Sequence, residues 1–517
     1  MNHAIVTAEQ MRAIEAQMFD AGIPVAALME KVAGRIAAWV MARYPRQQFP
    51  QIGVLVGPGH NGGDALVVAR ELHHQGYQIL IHYLTAKRKD LTAAHGFYLD
   101  YLGIPVTPNP EDLRSCDLIV DGGFGFGLER PIIGTIAQTL TMLNDGSQPV
   151  VSIDLPSGLH TDTGQVLGTA LQATHTLCLG LWKRGLFQDP ARAYRGEAHL
   201  LPFDIPDQAI AAILGPEPPI QQITTETAVA HVPLPRSATA HKYTAGHLLL
   251  IAGSRRYGGA ALLAGKGAIT SGVGMVTLVV PHSLRDLALS QLPEALVIGA
   301  EETDAGEIAA LPEGWDQTHY DAIVCGPGMT PKIDAVMAAV LAHKAPLLLD
   351  ADALNWCAAQ AAALERLNRR AAPTLLTPHL GEFRRLFPKE YATAPDLIAA
   401  PYIAAQQTRA CTIVLKGANS TITTPQGQQW IMTDSTPALA RGGSGDVLTG
   451  LMGGLIAQTV KRPQQTPDQA VLSAAIAGVW WHAMTGQALA QTHSELGCSP
   501  SQLAAALTTT LSTQLSA

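Results

Sequence analysis

The sequence predicts an α/β protein of two domains, each a mostly parallel sheet held between two layers of helices. Three observations carry that expectation. Short apolar runs alternate with helical stretches along most of the chain, as in parallel sheets covered on both faces. At 517 residues the chain exceeds what one ordinary core holds. Near Asp204 the alternation weakens, and Pro206, Pro216, Pro218, Pro219, Pro233 and Pro235 punctuate a stretch without a long apolar run. A boundary is expected there, around 221–226, giving domains of residues 1–222 and 226–517.

In chain order, Thr7 and Gln10 fit a capping box, with Met11, Ile14 and Met18 following at helical spacing. Pro24 can open a second helix with Leu28, Val32, Ile36 and Val40 on one face. Residues 52–56, 79–84, 118–120, 150–153 and 174–179 read as buried strands, with a helical run over 65–74. Beyond the boundary, strands are expected over 247–252, 276–280, 322–325, 346–350, 374–376 and 412–415. Residues 421–423 and 430–432 suggest a hairpin, and 503–515 a closing helix. No repeat relates the halves.

A 47% hydrophobic and 15% charged composition describes a soluble globular protein. The net charge of −8 argues against a general nucleic-acid binder, and no like-charge run suggests a membrane patch. No apolar run could span a bilayer. The N-terminal residues lack the basic and apolar segments of a signal peptide. Cys116, Cys178, Cys325, Cys357, Cys411 and Cys498 are far apart and form no CxxC, so reduced thiols and a cytoplasmic protein are expected.

Residues 57–64, Gly-Pro-Gly-His-Asn-Gly-Gly-Asp, follow a strand directly, the position at which α/β sheets bind ligands. They match neither GxGxxG nor a P-loop. Asp121 and Asp154 each end a strand, the first followed by a glycine-rich loop, the second by Leu-Pro-Ser-Gly. Asn61, Asp64, Asp121, Asp154 and Ser157 would thus gather oxygens on one rim, a set suited to a hard cation. Lys183 could contribute to the same rim or be a solvated surface lysine.

In the second half, Arg441-Gly-Gly-Ser-Gly-Asp446 leads into a helical run. A glycine loop whose amides face a helix N-terminus favours phosphate, and Asp446 could act on a hydroxyl beside it. The alternative is that Asp446 merely caps the helix. Lys416-Gly-Ala-Asn-Ser420 adds a cation and a turn at another strand end, and His379 and Glu382 lie at a third. Residues 253–262 and 326–329 supply further glycine-rich turns.

The N-terminal motifs (Val6-Thr-Ala-Glu-Gln-Met, Leu28-Met-Glu30, 57–64, 121–130 and 154–158) resemble the YjeF N-terminal domain, the NAD(P)H-hydrate epimerase family, over about residues 1–220. The resemblance implies a Rossmann-like domain. His60, Asn61, Gly62, Gly63, Asp64, Gly125, Phe126, Gly127, Leu128, Glu129, Arg130, Pro131 and Asp154 would contact the hydrated nucleotide, and Asn61, Asp121 and Ser157 would hold a potassium ion. Epimerisation needs an acid/base group beside the ring; Asp154 is the first candidate and Lys183 the second.

His241-Lys242, 252–260, Asp350-Ala-Asp-Ala-Leu354, 377–382, 416–420 and 442–450 resemble the ribokinase-like ADP/ATP-dependent NAD(P)H-hydrate dehydratases, over about 226–517. By that resemblance Ala260, Gly328, His379 and Asp446 line the hydrated nicotinamide nucleotide, while Lys416, Gly417, Ala418, Asn419, Ser420 and Gly445 hold the adenine nucleotide. Asp446 would be catalytic, taking the hydroxyl proton during phosphorylation so that phosphate can leave. Magnesium with ADP or ATP is the expected cofactor, NADH and NADPH hydrates the substrates, and a homo-oligomer the expected assembly. Two alternatives stay open: a small-molecule kinase, and an N-terminal half that only binds or scaffolds.

Overall fold

The apolar runs of both halves become parallel sheets in the computed structural model, which describes residues 3–516. The chain divides into compact units of residues 1–220 and 221–517. In the first, β1 (Ile5–Val6) and β7 (Trp182–Lys183) form a small parallel pair. The main sheet consists of β2 (Gln51–Val56), β3 (Gln78–Tyr83), β4 (Leu118–Gly122), β5 (Val150–Ile153), β6 (His175–Leu179) and β8 (Glu197–Leu201). Its order is β3-β2-β4-β5-β6-β8 and every pairing is parallel.

Burial on both faces explains why these strands read as near-continuous apolar runs. Ile52, Val54 and Val56 pack with Ile14, Val32 and Leu66 from one helical layer. Leu55, pointing the other way, packs with Leu140 and Leu143 of the helix Gly134–Asn144. The capping box forms: Gln10 donates its backbone N–H to Thr7 Oγ1 at 3.2 Å and accepts from Thr7 N at 2.9 Å. Pro24 caps the helix Val25–Arg43.

The second unit carries β9 (Ile220–Gln222), β10 (His247–Ile251), β11 (Met275–Pro281), β12 (Leu296–Ala300), β13 (Ala322–Cys325), β14 (Leu347–Leu349), β15 (Thr374–Leu376), β16 (Cys411–Leu415), β17 (Thr421–Thr423) and β18 (Gln429–Ile431). They order as β12-β11-β10-β13-β14-β15-β16-β17-β18-β9. Pairings are parallel as far as β16 and antiparallel from β16 through β17 to β18. Leu248 and Leu250 pack with Leu451 and Trp480 on one face, whereas Leu249 and Ile251 meet Val336 and Val340 on the other. This is again a sheet between helical layers.

Three differences from the sequence expectation have physical causes. The helix expected from Ala65 begins at His60; Gly62 and Gly63 stay helical despite poor propensity because they pack against the Gly57 carbonyl and Met29. Strands β8 and β12 were not expected: both are partly exposed edge strands, β8 mixing charge and histidine with apolar residues and β12 interrupted by Gly299. The hairpin's second strand starts one residue early, at Gln429, whose buried amide donates to Ile398 O at 2.8 Å and Thr423 Oγ1 at 3.0 Å. The closing helix runs Pro500–Ser516.

Candidate active sites

Because β2, β4 and β5 are neighbours running in one direction, the segments after them converge. The approach is backbone to backbone: a Cβ on Gly57 would lie 1.6 Å from the Gly123 carbonyl oxygen. Beside them opens a cavity of about 520 Å³, lined among others by Glu15, Asn61, Asp64, Phe126, Asp154 and Lys183.

Lys183 is completely buried, not a solvated surface lysine. Its ammonium lies 2.7 Å from Asp154 Oδ1 and also donates to the Leu179 carbonyl. Asp154, in a left-handed conformation (φ 68°), further accepts from Phe126 N at 2.9 Å and Leu179 N at 3.3 Å. Burial works against the Lys183 charge, but Asp154, with Cys178 and Glu15, outweighs it and raises the ammonium above its usual range. Sequence reasoning missed Glu15. Burial pushes its carboxyl up to about 7, Lys183 opposing and Asp154 reinforcing. Its place between Ile14 and Met18, beside the apolar face of the helix Ala8–Asp20, was the available signal. Burial, then Asp154 and Glu15, also holds the Asp64 carboxyl well above its usual range.

Asp121 is fully buried, and neither it nor Ser157 lines this cavity. Its oxygens accept from Ser157 Oγ at 2.6 Å, Ser152 Oγ at 2.8 Å, Ser157 N at 2.9 Å and Gly123 N at 3.0 Å. Burial raises its carboxyl, and these donors pull it back. Ser157 Oγ accepts in turn from Phe124 N at 2.8 Å. Of the residues expected to touch substrate, His60, Asn61, Asp64, Gly125, Phe126, Gly127, Leu128 and Asp154 line the cavity. Gly62 and Gly63 do not: they are buried packing positions. Glu129, Arg130 and Pro131 are exposed and outside its lining, Glu129 facing Arg12 at 3.6 Å.

In the second unit, β14, β15 and β16 are consecutive neighbours, so Asp350, His379 and Lys416 emerge at adjacent strand ends. Lys416 Nζ sits 2.7 Å from Asp350 Oδ1, and Thr449 Oγ1 donates to Asp350 Oδ2 at 2.6 Å. Burial opposes the Lys416 charge, but Asp350, Glu382 and Asp446 hold it raised. The helix Ser444–Thr459 starts from Gly443, which is left-handed (φ 96°). Lys416 Nζ lies at the Gly445 Cα face, 3.4 Å from where a Cβ would stand.

Asp446 falls in the first turn of that helix, where backbone N–H groups lack intrahelical acceptors. Burial and then Asp350 push its carboxyl up to about 7, with Lys416 opposing. Gly328 packs against Tyr257 and Ala260. His379 caps the helix Leu380–Leu386: its Nδ1 accepts from Gly381 N at 2.9 Å, leaving Nε2 3.4 Å from Glu382 Oε1. Gly417 and Ala418 are exposed, and Ser420 closes their turn by donating to Gly417 O at 3.2 Å. His482 was not expected. Its ring meets Ser444 Oγ at 3.1 Å, and burial lowers it to about 4, so it stays neutral.

The chain is thus an α/β protein of two units, each gathering buried carboxyls at the ends of parallel strands. Residues 25–185 match the family model for the YjeF-related protein N-terminus, and residues 248–509 that for NAD(P)H-hydrate dehydratase. The bifunctional NAD(P)H-hydrate repair enzyme Nnr of Thermosynechococcus vestitus is 48% identical over 99% of this chain and 98% of that relative. Its namesake in Synechocystis sp. is 49% identical over 97% and 93%. The Bacillus subtilis ADP/ATP-dependent NAD(P)H-hydrate dehydratase, co-crystallized with ATP/Mg2+, is 30% identical with a TM-score of 0.45, covering 57% of this chain and 98% of that one. The chain belongs to the family of bifunctional NAD(P)H-hydrate repair enzymes.

Proposed function

We propose that residues 1–220 interconvert the R and S epimers of hydrated NADH and NADPH, and that residues 221–517 dehydrate the S epimer, with ADP or ATP as phosphoryl donor. Family membership supports the two activities. The division of labour rests on the family models, NAD(P)H-hydrate dehydratase over 248–509 and the YjeF-related N-terminus over 25–185. Each unit also holds a carboxyl raised to about 7 at its candidate site, Glu15 in the first and Asp446 in the second. A group with that pKa exists in both protonation states near neutrality, as proton transfer requires.

In the first unit Asp154, the first candidate from the sequence, is paired with Lys183. Glu15, on the same cavity and raised to about 7, joins it as the proposed acid/base group. Epimerisation moves a proton at the hydrated ring or opens and recloses it, and Glu15 serves either route. Phe19, Leu28 and Phe126 give the cavity apolar walls that limit water. Asn61, Asp121 and Ser157 supply oxygens, the donors a potassium ion takes. Each Asp121 oxygen already accepts two hydrogen bonds, so an ion would be held chiefly by Asn61 Oδ1 and Ser157 Oγ, which a Cβ on Gly125 and on Gly123 would meet at 3.1 and 2.5 Å. Bound there, the ion would offer positive charge to the nucleotide phosphates.

In the second unit Asp446 takes the substrate hydroxyl proton as that oxygen attacks the terminal phosphoryl group. The new O–P bond forms as the phosphoanhydride breaks, releasing AMP from ADP or ADP from ATP. First-turn amides after Gly443 stabilise the transferred charge. The phosphate then departs with the C–O electron pair while the adjacent ring carbon loses a proton, restoring the double bond of the dihydronicotinamide. Ala260, Gly328 and His379 would face the nicotinamide nucleotide, and the 416–420 turn the adenine nucleotide. Both Asp350 oxygens are engaged by Lys416 and Thr449. Magnesium would therefore be held mainly by the nucleotide phosphates, whose charge it offsets.

Six buried cysteines, all free, support a reducing compartment such as the cytoplasm. Among the described residues no helix is long and apolar enough to cross a membrane. The test is to supply mixed R and S hydrates with ADP and follow dihydronicotinamide absorbance. Complete conversion is expected; conversion of the S fraction alone would remove the epimerase assignment. A phosphorylated product that accumulates would point instead to a small-molecule kinase.

A further inference from the structure

At the amino ends of β6 and β8, His175, Glu197 and His199 stand on one face of the first sheet, His175 paired in register with Glu197. Their ligand atoms form a small triangle. His175 Nδ1 and His199 Nε2 are 3.3 Å apart, His175 Nδ1 and Glu197 Oε2 3.6 Å, and His199 Nε2 and Glu197 Oε1 3.6 Å. A tetrahedral zinc ion with donors at about 2.0–2.1 Å separates them by roughly 3.3–3.5 Å. The edge between the imidazoles has that length, the two imidazole–carboxylate edges are slightly longer and run to different oxygens of Glu197, and one ligand atom from each residue lies within 4.8 Å of the others. The two ring nitrogens are within hydrogen-bond reach of each other, but 3.6 Å between carboxylate and imidazole is too long for a hydrogen bond, so hydrogen bonding does not account for the place of Glu197.

We propose that His175, Glu197 and His199 bind a divalent transition ion of the zinc class, with water as the fourth ligand. Two imidazoles and a carboxylate are a donor set such ions select. The Trp39 ring packs against both imidazoles, with centroids 5.2 Å from His175 and 5.1 Å from His199, which restricts their orientation. Access is open on the other side, since the side chains of Glu197 and His199 are 62% and 29% exposed. The ion would pin the edge strand β8 to β6. From His175 to Leu179, beside the Asp154 site, β6 rises about 13 Å. The ion would therefore support the fold and take no part in epimerisation.

The full-length protein, stripped with a chelator, is titrated calorimetrically with zinc chloride and its thermal unfolding followed with and without zinc. His199→Ala and Glu197→Gln alter partly exposed side chains and should fold. Wild type is expected to take up one tight equivalent and melt at higher temperature with zinc. His199→Ala should bind at least about tenfold more weakly and lose the thermal shift, with epimerase rate unchanged. Zinc uptake of the same stoichiometry and affinity in wild type and both variants would overturn the proposal, as would no uptake by wild type.

Discussion

The Lys183 ammonium lies 2.7 Å from Asp154 Oδ1, and almost nothing of either side chain reaches solvent. A charge buried so deeply is tolerable only with its partner present. Lys183→Met should destabilise the first unit by about 3–5 kcal/mol, because it strands the Asp154 carboxylate. Adding Asp154→Asn to that variant should recover much of the loss. A double-mutant cycle from urea unfolding of the full chain measures the coupling, and additive effects would show that the pair acts as two independent groups.

Glu15 links stability to pH in the opposite sense to a salt-bridged carboxylate. Its folded value, about 7, lies above the ordinary 4.5, so between these values the native state holds a proton that the unfolded state has released. Stability therefore falls as pH rises through that window, by about 3 kcal/mol in all, and the penalty persists above it. Glu15→Gln should flatten this slope and be more stable than wild type at alkaline pH. It should also slow epimerisation on the order of 100-fold or more while sparing dehydration of the S epimer. An unchanged pH slope in the variant would assign the titration elsewhere.

The parallel strands were legible because burial on both faces leaves an unbroken apolar run, as in 52–56 and 247–252. Edge strands such as Glu197–Leu201 were not, since one side of the strand has no partner and polar residues are tolerated. Asp154, Asp121 and Asp446 could be picked out because each follows an apolar strand or a glycine loop. Glu15 lay hidden because a carboxylate beside the buried face of an amphipathic helix reads as surface until the cavity it faces is known. Lys183 could be placed on the Asp154 rim from the order of strands, but their ion pair could not: it depends on a left-handed backbone at Asp154, which leaves no local pattern.

Gly442 and Gly443 are adjacent in sequence but differ in what they tolerate. Gly443 is left-handed at φ 96°, and a Cβ there would stand 2.5 Å from Leu263 Cδ1. Nothing lies within 4 Å of a Cβ on Gly442. Gly443→Ala should cost more than about 1 kcal/mol and shift the loop amides, lowering dehydratase kcat up to about 100-fold. Gly442→Ala should stay close to wild type in the same denaturation and rate measurements. Equal losses in both would mean that the loop responds to chain stiffness, not to the left-handed turn.

Asp446 must be ionised to accept the hydroxyl proton, yet burial and Asp350 hold its carboxyl at about 7. The kcat/KM for dehydration of the S epimer should therefore rise with pH, reach half its plateau near 7, and fall about tenfold per unit well below that. Asp446→Asn keeps the size of the side chain but cannot accept the proton. It should lower dehydration by about 100- to 10,000-fold and abolish the rising limb, with epimerisation of the R form intact. The two readouts separate roles: a variant that loses rate but keeps the limb would make Asp446 a positioning residue and point to Glu382, whose carboxyl burial also raises, as the titrating base.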